Sequence, residues 1–74
     1  MENWRDEYDG VGSFIEGRAW VALGGKEGHV NRAGEVTTPI IYDSVGIFIG
    51  GLAWVRLGNK EGHINLAGEV TWNE

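Results

Sequence analysis

The chain has no cysteine, a single proline, and six basic residues against eleven acidic ones in 74 positions. Without cysteine it can form no disulfide, no thiolate metal site and no thiol nucleophile. Its formal charge is -5, and Arg5, Arg18, Lys26, Arg32, Arg56 and Lys60 lie scattered along it. Phosphate backbones are bound by clustered cations, so nucleic acid is not an expected partner. No apolar run approaches the roughly 20 residues of a membrane span, and the opening MENWRDEYDG is acidic with no signal-like apolar core. The expectation is a soluble, cytoplasmic protein with no membrane partner. A chain near this length forms one domain (residues 1–74) and buries only about 60% of its unfolded surface. Such cores supply about 3–5 kcal/mol and usually need a disulfide, a metal or a partner chain. With disulfides excluded, oligomerisation or a metal held by histidine and carboxylate remains.

Thirteen glycines stand among many Val, Ile, Thr and Trp residues, a composition of short strands joined by tight turns. The one helical expectation is a short turn over residues 3–8. The dominant feature is an internal repeat. Residues 8–40 and 42–74 align without a gap at an offset of 34, with about two-thirds of the positions identical. Self-similarity at such a period marks repeat architectures.

Each copy reads as a three-stranded antiparallel meander. RAWVAL and LAWVRL alternate, placing Ala19, Val21 and Leu23, or Ala53, Val55 and Leu57, on one apolar face that faces the core. Gly24-Gly25 and Gly58-Asn59 suit two-residue hairpin turns. KEGHVN and KEGHIN follow, with Gly28 and Val30, or Gly62 and Ile64, toward the core and the Glu, His and Asn side chains opposite. NRAG and NLAG suit type I turns, with Asn first and Gly fourth. Pro39 in the third strand belongs at a strand end or sheet edge. The fold class is therefore all-β, two tandem three-stranded meanders forming a small sandwich or barrel completed by oligomerisation.

The stretch YDSVGIFIGGLAWVRLGNKEGHINLAGEV resembles the WG-repeat (KWG-type) family of β-hairpin repeats. Matching positions are Tyr8-Asp9, Phe14, Glu16-Gly17, Ala19, Val21, Lys26, Gly28, Val30-Asn31 and Gly34. In the second copy they are Tyr42-Asp43, Phe48, Gly51-Leu52-Ala53, Val55, Lys60, Gly62, Ile64-Asn65 and Gly68. The naming Trp is replaced by Glu27 and Glu61, and the aromatic after it by His29 and His63, as in a divergent two-repeat member. The resemblance implies β-hairpin repeats and an interaction role, with no catalytic residues to carry over. Repeat units need about three neighbours to build a stable core, so two copies again point to self-association.

No enzyme is expected: no local arrangement of Ser13, Ser44 or the threonines suggests a Ser-His-acid constellation. No cofactor or metal is expected either. Were a metal bound, Glu27/His29 and Glu61/His63 would be its donors, because residues two apart on a strand share a face. Trp20 and Trp54 fall opposite the core face, and large aromatics there mark a second buried face or a contact surface. Ser13, Glu16, Arg18, Arg32 and Thr38 of the first copy become Ile47, Gly50, Leu52, Leu66 and Trp72 in the second. Polar residues exchanged for apolar ones predict a homo-oligomer, a dimer as the commonest closed form, with an interface on Ile47, Leu52, Trp54, Leu66 and Trp72. Strand faces or turn tips would then meet a protein partner. The alternative is a small-ligand or carbohydrate binder that stacks its ligand on Trp20 or Trp54, with Asn31 and Asn65 nearby.

Overall fold

The computed structural model describes residues 3–73. The domain and second-repeat bounds drawn at residues 1 and 74 lie outside them. Among the described residues a single 3-10 turn, Trp4–Glu7, precedes eight strands: β1 (Gly10–Val11), β2 (Ala19–Leu23), β3 (Lys26–Val30), β4 (Val36–Tyr42), β5 (Ser44–Val45), β6 (Leu52–Leu57), β7 (Lys60–Asn65) and β8 (Val70–Trp72). They form two antiparallel sheets in the orders β1-β2-β3-β4 and β5-β6-β7-β8. The fold is all-β, and neither sheet closes into a barrel. Each meander carries a fourth, two-residue strand, β1 or β5, too short to show an alternation in the sequence.

The hairpin β2–β3 runs in unbroken register from Ala19↔Val30 to Leu23↔Lys26, and β6–β7 from Leu52↔Asn65 to Leu57↔Lys60. Its turn is Gly24-Gly25, both at positive φ, in the first copy. In the second only Gly58 has positive φ, so Gly58-Asn59 turns with one left-handed residue. The asparagine turns form as expected, with Gly34 N–H donating to the Asn31 carbonyl at 2.9 Å and Gly68 N–H to that of Asn65 at 3.0 Å.

Each sheet has its own small core. Ala19, Val21 and Val30 are buried in the first, packed against Trp4, Tyr8, Val11, Phe14 and Ile40. Ala53, Val55, Ile64, Phe48 and Tyr42 form the second. Tyr42 ends a strand of the first sheet while packing in the second core, so β4 links the two repeats. Pro39 lies within β4, which is an edge strand, and the β3–β4 register slips between Glu27, His29 and Val30. An edge and an irregular ladder both tolerate the missing N–H.

Gly28 and Gly62 permit that close strand packing. A Cβ on Gly28 would stand 2.5 Å from the Thr38 carbonyl oxygen and 2.8 Å from that of Pro39, and one on Gly62 would collide with the Thr71 carbonyl. Backbone on the opposing side leaves no room to yield.

Candidate functional site

The face of the first sheet opposite its core carries Trp20 paired with His29 and Ala22 paired with Glu27. The second repeat seats against this face through a set of polar bonds. Glu27 Oε1 accepts from the Val45 N–H at 2.9 Å, and His29 Nε2 lies 2.7 Å from the Gly46 carbonyl oxygen. Lys26 Nζ donates to Asp43 Oδ1 at 2.8 Å. Arg18 reaches the Leu66 carbonyl at 3.2 Å, although its Nε is buried with no partner among the described residues.

A fifth bond set comes from Glu16, whose two carboxylate oxygens accept from the N–H groups of Gly50 and Gly51 at 2.7 and 2.8 Å. Glu16 itself has φ +54, the one left-handed non-glycine among the described residues. That conformation is disfavoured for a residue with a Cβ. It is held because Glu16-Gly17 forms a two-residue turn closed by reciprocal bonds between Ile15 and Arg18.

His29 is the buried centre of the joint, 1% exposed, with its ring 4.7 Å from that of Phe48 in the second core. Its Nδ1 lies 2.9 Å from Thr38 Oγ1. Burial lowers the His29 pKa below the ordinary imidazole value, outweighing the opposing bond to the Gly46 carbonyl; Arg18 adds to the lowering and Glu27 counters it. The ring is therefore neutral at pH 7. A carbonyl can only accept, so Nε2 carries the proton and Nδ1 accepts from the Thr38 hydroxyl. On the surface beside the joint, the hydrogen bond from Lys26 holds the Asp43 carboxylate below its ordinary pKa, helped by the Gly58 N–H.

The equivalent face of the second sheet pairs Trp54 with His63, Arg56 with Glu61 and Leu52 with Asn65. There Glu61 and His63 are exposed. Leu52 (49% exposed) and Trp54 (37%) share this face, and Ile49 beside Leu52 is 68% exposed. Ile47 and Leu66 are exposed too, whereas Trp72 is half-buried against the second core, its ring 6.2 Å from Tyr42.

The two Glu/His pairs are not brought together. Both members of the first are bonded to the second repeat, and no group of three or more metal-ligating side chains occurs among the described residues. Asn31 and Asn65 serve their own turns, each Oδ1 accepting two backbone N–H groups and each Nδ2 donating to a glutamate, Glu35 or Glu69. Trp20 lies over Gly10 and Gly12, and a Cβ on Gly12 would strike its indole. No pocket is present beside either tryptophan among the described residues.

Sequence reasoning missed Ile49 and the roles of Glu16, Val45 and Gly46. The first copy's Glu16 against the second copy's Gly50 was the one available signal, since a carboxylate at a turn tip can bind only what the fold places across from it.

Residues 7–26 and 28–60, well over half of the chain, match the model of the WG containing repeat, and the chain belongs to that family. No match was found among curated proteins or among solved structures. No described helix is long and apolar enough to cross a membrane.

Proposed function

We propose that this protein is a non-enzymatic interaction module that assembles with further copies of itself and presents its strand faces and turn tips to a protein partner. Membership of a repeat family supports the structural half of this reading. The observation that carries self-association is the apolar exposure of the second repeat, where Ile47, Ile49, Leu52, Trp54 and Leu66 all lie open on a chain with only two small cores. At about 25 cal/mol per Å² of apolar burial, covering a few of these side chains adds several kcal/mol, comparable to the stability of one such chain. Trp54 alone would suit a stacked small ligand, but the sheet offers no concavity around it and both asparagines are engaged, so the interaction reading has the better support.

The test is absolute molar mass by light scattering over a range of concentrations, with and without chelator. The expected result is a mass above one chain that rises with concentration and ignores the chelator, and that Leu52→Glu or Leu66→Glu reduces to a single chain. An invariant one-chain mass refutes the reading, and loss of assembly with chelator shifts it to a metal-linked one.

A further inference from the structure

We propose that the open end of the second repeat receives the first repeat of a second copy, head to tail, through the contacts that already hold the second repeat to the first. The inference rests on the self-association reading and specifies its geometry. It begins from the offset of 34. Lys26, Glu27 and His29, which bind the second repeat, recur as Lys60, Glu61 and His63; their targets Asp43, Val45 and Gly46 recur at the other end as Asp9, Val11 and Gly12. One end of the chain thus carries the donors and acceptors that the other end needs.

The receiving residues are already in the required conformation. Asp9 N–H donates to the Ala22 carbonyl and Gly12 N–H to that of Trp20, as Asp43 and Gly46 do to Arg56 and Trp54. Asp9 Oδ2 accepts from the Gly24 N–H at 3.0 Å, matching Asp43 Oδ2 with Gly58 at 2.7 Å. In Asp43 the remaining oxygen takes Lys26; Asp9 is exposed, and among the described residues no side chain bonds its Oδ1, the Val11 N–H or the Gly12 carbonyl.

Exposure points the same way. Ile15, Arg18, Trp20, Glu27 and His29 are each partly or fully covered, and their counterparts Ile49, Leu52, Trp54, Glu61 and His63 are each exposed. The same face is covered in the first copy and open in the second. At three positions the end differs: Glu16 and Arg18 become Gly50 and Leu52, exchanging the carboxylate clamp and a carbonyl contact for apolar surface, and Thr38, the hydroxyl partner of His29, becomes Trp72.

The first repeat meanwhile covers its own receiving side. Trp4 packs edge-on against Phe14, and a Cβ on Gly34 would come 2.5 Å from its ring. Within the chain the corresponding places are filled by the preceding repeat, His29 against Phe48 and the Thr37 carbonyl over Gly68. A docking copy therefore displaces the Trp4 turn, and the energy of that displacement makes association weak and concentration-dependent. Because the contact is heterologous, it continues into rings or open filaments, unlike a twofold dimer.

Complementary charge reversal tests the register. Lys60→Glu alone sets like charges opposite Asp9, and Asp9→Lys alone sets them opposite Lys60; each should raise the concentration needed for assembly by roughly tenfold or more. An equimolar mixture of the two variants pairs opposite charges at both junctions and should regain wild-type assembly by light scattering. Either variant assembling as wild type does, or a dissociated mixture of two variants that each melt as wild type does, overturns the head-to-tail register while leaving self-association standing. Should Asp9→Lys lower the melting temperature by loss of the Gly24 bond, Asp9→Asn retains that acceptor and should still weaken assembly; unchanged assembly overturns the register. A wild-type chain that stays single at every concentration overturns both readings.

Discussion

His29 and Gly46 are joined across the two repeats by a hydrogen bond of 2.7 Å from imidazole Nε2 to the carbonyl oxygen, with the Thr38 hydroxyl on the other ring nitrogen. This buried, fully satisfied imidazole is where the second copy of the sequence meets the first. Its counterpart His63, of the same type in the same Glu-Gly-His setting, lies exposed.

Replacing His29 by alanine removes a buried ring from beside Phe48 and strands both the Gly46 carbonyl and the Thr38 hydroxyl. The expected loss is about 3 kcal/mol, from the cavity and the unpaired polar groups together. In the dissociated single chain, His63→Ala should change stability by less than about 0.5 kcal/mol. Urea midpoints of the two variants measure the contrast, and similar midpoints would refute the assigned role of His29.

Stability should also fall on mild acidification. The His29 pKa is lowered in the folded chain, so in the interval between that value and the ordinary histidine value of about 6.5 the unfolded chain binds more protons than the folded one. Stability is then complete above about pH 6.5 and declines as pH falls from there through the lowered value. Melting temperatures of wild type and His29→Gln across this window check the sign, since the variant should lack this component of the decline.

Glu16 sets two effects against each other. Glu16→Ala loses the bonds to Gly50 and Gly51 and retains a Cβ at φ +54. Glu16→Gly loses the same bonds while releasing the left-handed strain, so it should be the milder change by about 1 kcal/mol. Chemical denaturation of both variants against wild type would expose a reversed order.

Gly28→Ala and Gly62→Ala should each cost about 3 kcal/mol or prevent folding, because the added methyl meets opposing carbonyl groups of β4 or β8. Gly17→Ala meets open space but must hold φ +77, and its cost should stay near 1 kcal/mol. Thermal melts of the three variants separate collision from backbone strain.

Much of the fold was legible in local pattern. Alternation in RAWVAL and LAWVRL placed Ala19, Val21 and Leu23, and Ala53, Val55 and Leu57, inside; the alanines and valines are buried, Leu57 is half-buried, and Leu23 at the end of β2 is exposed. The glycine turns and the Asn-x-x-Gly turns follow from backbone sterics within a few residues. The short strands β1 and β5 leave no mark in the pattern because two residues carry no period, and β5 is half of the joint.

Sequence by itself determined that a hairpin unit occurs twice, where its turns fall and which face of each β-hairpin is apolar, since these depend on spacings of two to four residues and on the stereochemistry of glycine and proline. Tertiary structure decided what became of the two Glu-Gly-His triplets. Identical residues were given opposite environments because burial of that face depends on what packs on it: the second repeat covers it in the first copy, and in the second copy it is exposed. Only the stacking of β5 against β3 turned Glu27 and His29 into a joint and left Glu61 and His63 open.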